Sequence, residues 1–151
     1  MCGIIGYVGN DQQAVEVILD GLSKLEYRGY DSAGLAVVEK GRIFVDKKSG
    51  KLSNLKESLK EKLHLANVGI GHTRWATHGV PSDINSHPHC SCDGKVAIVH
   101  NGIIENYSTL KSELIGKGYK FISDTDSEVV AQLFSYFYNG DLLETLKKVK
   151  E

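Results

Sequence analysis

Residues 1–9 read Met1-Cys2-Gly3-Ile4-Ile5-Gly6-Tyr7-Val8-Gly9, a short apolar run with a thiol near its head. The run predicts a buried strand over Cys2–Val8, and the glycines inside it mark the close approach of a ligand or of another backbone. If Met1 is removed, Cys2 carries a thiol and an α-amine on one residue. An α-amine titrates at about 7.7–8.0, near working pH, and a nucleophile served by its own chain-terminal amine is an established arrangement. The plainer alternative is a buried cysteine acting as a small hydrophobe.

Outward from this strand the period changes. Val15, Ile18, Leu22 and Leu25 recur at helical spacing and predict an amphipathic helix from Gln12 to near Gly29. Ala33–Val38 and Arg42–Val45 read as a hairpin turning at Glu39-Lys40-Gly41. Leu52, Leu55, Leu59 and Leu63 form a second helical stripe, and Val68–Thr73 is a short strand. The stretch from Arg74 to Gly94 lacks periodicity and holds both prolines, Pro81 and Pro88; a loop of that length inside a domain is functional or disordered. Lys95–His100 returns as a strand ending at Asn101-Gly102, and Ser108 is placed to cap a helix carrying Leu110 and Leu114. Tyr119–Ile122 reads as a strand. Thr125-Asp126-Ser127-Glu128 has capping-box spacing before Val129, Leu133 and Phe137. A last helix starts at Asp141 and runs to Glu151 without a glycine stop, which suggests a piece of a longer chain. The order of elements gives a mixed α/β layered domain.

The chain has 151 residues, enough for one domain with a real core, and 41% apolar with 25% charged residues is ordinary for a globular protein. Its 18 basic and 19 acidic side chains leave a net charge of -1, so there is no electrostatic footprint for nucleic acid or an anionic membrane. No apolar run approaches the roughly 20 residues of a membrane helix, and no secretory signal opens the chain. Three cysteines, two of them Cys90 and Cys92, make no disulfide framework and fit a reducing cytosol.

Several constellations could carry chemistry. His72, His78, His87, His89, Cys90 and Cys92 crowd together, yet Cys90-x-Cys92 is tighter than the paired spacing of a structural zinc site, so no metal is expected. Asn101-Gly102 at a strand end could offer a side-chain amide and a backbone N–H to an oxyanion; the same dipeptide is also the favoured two-residue hairpin turn. Arg74 could grip a carboxylate through its planar fork, and Asp126 at a helix start could be an anion for a ligand or a helix cap.

The opening Met-Cys-Gly-Ile-Ile-Gly resembles the N-terminus of the class II glutamine amidotransferases, which are N-terminal-nucleophile hydrolases. Leu25 to Gly34 (Leu-Glu-Tyr-Arg-Gly-Tyr-Asp-Ser-Ala-Gly), His72 to Gly79 (His-Thr-Arg-Trp-Ala-Thr-His-Gly), Asn85 to His89, His100 to Asn106 and Thr125-Asp126 extend the likeness along the chain. They resemble the glutaminase domains of the family that aminates fructose 6-phosphate. The resemblance implies an α+β fold, a four-layer αββα sandwich that is partial because the chain stops early. It implies that Cys2 attacks the carboxamide of glutamine, that Asn101 and Gly102 hold the oxyanion, and that Arg74, Thr77 and His78 hold the substrate carboxylate. Asp126 would hold the ammonium, Trp75 would lie near the ammonia exit, His87 near the pocket, and Arg28 in the scaffold of the site.

No cofactor is implied. The partners implied are glutamine and, only through an isomerase domain absent from residues 1–151, fructose 6-phosphate; the full-length protein would be a cytoplasmic homo-oligomer. A partial sandwich should leave one sheet face uncovered. Cys90-Ser91-Cys92 falls outside the family's signature and reads as a variable loop. The competing readings are a glutaminase domain of another class II amidotransferase and a non-catalytic zinc-binding module.

Overall fold

Three antiparallel pairings, one of them a hairpin, build the main sheet. The computed structural model describes residues 2–62, 64–75 and 80–150. In it, β1 (Gly3–Val8), β2 (Ser32–Glu39), β3 (Arg42–Ser49) and β4 (Val68–Arg74) form an antiparallel sheet in the order β1-β4-β2-β3. The β2–β3 turn is made by Lys40 and Gly41, both at positive φ (49° and 75°), the geometry that a tight two-residue hairpin needs. β3 runs to Ser49, four residues past Val45, because β2 pairs with it along its full length, from Glu39–Arg42 to Ser32–Ser49.

Strand alternation gives the sheet two unlike faces. Ala33, Leu35 and Val37 point to the face covered by α1 (Ala14–Leu25) and α2 (Leu52–Leu59), whose stripes of Ala14, Ile18 and Leu22 and of Leu52, Leu55 and Leu59 complete a continuous apolar core. At about 25 cal/mol per Å² of apolar surface, this burial is the main force holding the helices to the sheet. Leu63 lies outside the described residues. The opposite face carries His72 and Arg74 from β4 and turns toward a second sheet, β5 (His89–Cys90) and β6 (Ala97–Ile98). α4 (Glu128–Phe137) packs on β5 and β6, with α3 (Tyr107–Gly116) and α5 (Leu142–Lys150) beside it. The layers are helix, sheet, sheet, helix, the expected αββα sandwich with a narrow second sheet. No described helix is long and apolar enough to cross a membrane.

Several local expectations change. Gly3 is a close-approach position for Leu25 of α1, 2.7 Å from where a Cβ would sit, while Gly6 has open space beside it. The Lys95–His100 strand shrinks to Ala97–Ile98, and β5 lies inside the stretch expected to be loop. Cys90 is therefore a strand residue, and buried Ser91 binds Val96 and Asp93, which makes the stretch an ordered turn. Tyr119–Ile122 is not a strand: the N–H of Ile122 donates to the Glu128 carboxylate instead of to a neighbouring strand. The capping box does not form either. Thr125 turns its hydroxyl to His89 and Asp126 its carboxylate to Ile104, and Ser127 is left at the N-cap without a side-chain cap. Ser108 sits inside the first turn of α3, which starts at Tyr107. Asp141 does cap α5, accepting the N–H of Glu144 at 2.9 Å. The face turned from the helices is partly uncovered, as expected: Ala36, Val38 and Ile70 line an open apolar groove of about 400 Å³ together with Val96, Ala97 and Leu142.

Candidate active site

The antiparallel register of β1 and β4, with Gly3 opposite Thr73, brings Cys2 beside the end of β4. The Trp75 N–H donates to Cys2 Sγ at 3.1 Å, and Sγ lies 3.6 Å from the Trp75 carbonyl. Asn101, just past the second sheet, donates from Nδ2 to the Cys2 carbonyl at 3.2 Å. A cleft of about 400 Å³ opens here, within the usual range of small-molecule sites.

Arg74 and Asp126 form the polar wall of the cleft, each about 4% exposed. Burial pulls the Arg74 guanidinium below its ordinary value, while the nearby Cys2, Asp31 and Asp126 act in the other direction. Asp126 Oδ2 accepts the Ile104 N–H at 2.7 Å, tying its segment to the loop after Asn101. That segment is hung from side chains: Glu128 accepts the Ser123 N–H at 2.7 Å, Asn85 accepts the Asp124 N–H at 3.0 Å, and Thr125 Oγ1 meets His89 Nε2 at 2.8 Å. Gly102 stands at the cleft mouth with φ +153°, where a Cβ would come 2.9 Å from the His100 ring, so both backbone and space require glycine.

Behind the wall lie three histidines. His72 and His87 stack at 4.4 Å, and His87 meets His89 edge-on at 4.4 Å. Burial pushes His72 down to about 4 and His89 down to about 3, with Arg74 acting in the same direction on both. Burial, then the neighbouring His72 and His89, push His87 down strongly as well. All three rings are neutral near pH 7. The loop bearing His87 is clasped by Lys47 of β3, whose Nζ donates to the carbonyls of Ile84 (3.1 Å), Ser86 (2.7 Å) and Pro88 (3.1 Å). Gly34 of β2 admits the same loop, since a Cβ there would run into the His87 carbonyl oxygen.

The expected site residues thus gather: Cys2, Arg28, Arg74, Trp75, His87, Asn101, Gly102 and Asp126 all line one cleft. Arg28 comes from a 3-10 turn over Glu26–Arg28, and Trp75, 46% exposed, stands edge-on to Tyr30. Thr77, His78 and Met1 lie outside the described residues. The histidines do not converge as metal ligands would, because the Nε2 atoms of His72 and His89 face Asn101 and Thr125. Among the described residues no group of three His, Cys, Asp or Glu side chains is placed to hold a metal. Sequence reasoning missed Lys47 and the hydrogen bonds of His72 and His89. Lys47 lies two residues past the expected end of its strand at Val45, so no strand period announced its inward position. A thiol, an amide donor, and arginine and aspartate side chains around a single cleft suit a zwitterionic amino acid whose side chain reaches the thiol.

Comparison with known proteins agrees with this arrangement. Residues 54–147 match the glutamine amidotransferase domain family. The chain is 62% identical over 149 residues to a glutamine–fructose-6-phosphate aminotransferase (isomerizing) of Fusobacterium nucleatum and 58% identical over 149 residues to one of Caldanaerobacter subterraneus. Each match covers 99% of this chain, which spans about a quarter (24%) of the length of those relatives. Among solved structures, a glutamine phosphoribosylpyrophosphate amidotransferase from B. subtilis superposes with a TM-score of 0.80 at 25% identity, covering 99% of this chain and 32% of that one. With a family match over more than half its length and this fold, the chain belongs to the glutamine amidotransferase domain family.

Proposed function

We propose that the chain is the glutaminase module of an isomerising glutamine–fructose-6-phosphate aminotransferase, with residues 1–151 forming the N-terminal part of its glutaminase domain. The observation that carries the reading is the meeting of Cys2 with the Asn101 amide at the mouth of a cleft walled by Arg74 and Asp126. The high identity to the Fusobacterium and Caldanaerobacter proteins supports the choice of branch.

In this mechanism Met1 is removed and the Cys2 α-amine takes the thiol proton. Arg74, with Thr77 and His78, holds the glutamine α-carboxylate, and Asp126 holds the α-ammonium. The Cys2 sulfur attacks the side-chain carbonyl carbon, and the Asn101 amide and Gly102 N–H stabilise the oxyanion, a contribution of about 10²–10³ in rate per donor. Collapse of the tetrahedral adduct breaks the C–N bond, and the α-ammonium returns its proton to the leaving ammonia, which passes Trp75. Water then cleaves the γ-glutamyl thioester to glutamate and restores the thiol. His87 and Arg28 shape the pocket. Delivery of ammonia to fructose 6-phosphate, and homo-oligomer assembly, belong to the full-length protein and its isomerase domain.

A diazoketone analogue of glutamine tests the reading. Its mass should appear on the N-terminal peptide, with Met1 gone, and Cys2→Ala should abolish both labelling and ammonia release. Labelling at Cys90 or Cys92, or a retained Met1 in an active sample, would sink it.

A further inference from the structure

Behind the cleft, His72 does more than fill space. It is 1% exposed on the inward face of β4, and its Nε2 lies 2.8 Å from Asn101 Oδ1. The Asn101 amide faces two ways: Nδ2 is 3.2 Å from the carbonyl oxygen of Cys2. A carbonyl can only accept, so the amide must present its NH₂ to Cys2 and its oxygen to His72. The oxygen in turn requires an N–H, so His72 carries its proton on Nε2. The opposite tautomer would set a ring lone pair against the amide oxygen and would bury an N–H on Nδ1, which has no hydrogen-bond partner.

We propose that His72 is a positioning residue whose Nε2–H locks the Asn101 amide with its NH₂ turned toward Cys2 and the oxyanion. The proposal rests on the glutaminase reading and deepens it. Without that lock the amide can rotate and set a carbonyl oxygen, rather than an N–H, against developing negative charge. The ring that does this is itself held. His87 stacks on it at 4.4 Å, and the loop bearing His87 is clasped by Lys47 through the Ile84, Ser86 and Pro88 carbonyls. Among the described residues, the charged or titratable groups that act on the ring or feel it are Arg74, His100, His87 and His89; burial keeps His72 neutral through the working range, so the tautomer is fixed rather than averaged with an imidazolium.

His72→Leu removes the donor at similar volume, and His72→Gln places an amide N–H near the former Nε2. With glutamine as substrate, His72→Leu should lower kcat by about 10- to 100-fold, less than the ~10²–10³ of losing the donor itself, with KM nearly unchanged. His72→Gln should recover most of that loss. In an Asn101→Ala background, His72→Leu should cost less than about twofold, because the residue it acts through is gone. Equal impairment of the Leu and Gln variants, or an undiminished loss in the Asn101→Ala background, overturns the proposal. No loss in Asn101→Ala alone removes the glutaminase reading, and the proposal with it; loss there with none in His72→Leu removes the proposal only. Should His72→Leu not fold, imidazole ¹⁵N shifts of the unaltered chain decide: a protonated Nε2 with bare Nδ1 supports the lock, and the reverse tautomer overturns it.

Discussion

The two faces of the main sheet are built on opposite physics. Toward α1 and α2, Ile18, Leu22, Leu35 and Leu55 are buried against one another. On the other side, buried residues are mostly polar: His72, Arg74, His87, His89, Thr125, Asp126 and Glu128 sit at 5% exposure or less, and five of these seven make a named hydrogen bond. The apolar face tolerates imprecision, because burial is non-directional. The polar seam does not, because each buried group needs a donor or acceptor at the right place. One face gives the fold its stability; the other gives it a site.

Acid should separate the faces most strongly. Unfolded histidine titrates at about 6.5, whereas His72 is pushed down to about 4 and His89 down to about 3 in the folded chain. As pH falls from 6.5 the unfolded state therefore binds more protons, so stability is full above that pH and drains away toward about 4, and then about 3. Each such ring contributes up to about 1.4 kcal/mol per pH unit in that window. The urea midpoint should drop steeply between pH 7 and 5; a flat profile would break the contrast by showing that the seam is not sealed.

A matched pair of substitutions sharpens it next. Leu22→Ala should cost about 2–5 kcal/mol in urea unfolding, because Leu22 is fully buried in the apolar core. Asn101→Ala, at an exposed position on the cleft mouth, should cost less, about 1–3 kcal/mol for the buried His72 N–H it strands, and reduce kcat about 10²–10³-fold. Exchange of these two outcomes would refute the division of labour. Lys47→Met comes below them: three carbonyls lose a charged donor, at about 1.5–3 kcal/mol, with faster amide exchange confined to residues 84–91. Smallest is Lys24→Ala. Its ion pair with Asp20 is 74% and 66% exposed, and its loss should not shift the melting midpoint measurably.

The same division explains what could be read beforehand. Ile18 and Leu22 repeat at helical spacing and Leu35 and Val37 alternate, so α1, α2 and the β2–β3 hairpin were legible from period alone. Tyr119–Ile122 has the composition of a strand, but its Ile122 N–H goes to Glu128, a side chain six residues on, which no period announces. Thr125 and Asp126 likewise have helix-cap chemistry that His89 and Ile104 claim instead. Cys2, Arg74, Asn101 and Asp126 could be assembled in advance only through motif likeness, since 99 positions of sequence separate the Asn101 amide from the Cys2 carbonyl it meets. Lys47 stayed hidden because its acceptors are backbone carbonyls 37 to 41 residues away, and carbonyls carry no sequence signature.

The hydrogen bond from Ile104 to Asp126 has a thermodynamic consequence of its own. It joins the wall of the cleft to the loop that begins at Asn101-Gly102, so a ligand that favours one position of the Asp126 carboxylate also favours one position of that loop. Linkage then runs equally in both directions: whatever orders residues 101–104 must tighten the grip of Asp126 by the same factor. Recognition at one end of the cleft and order at the other are two readings of a single equilibrium.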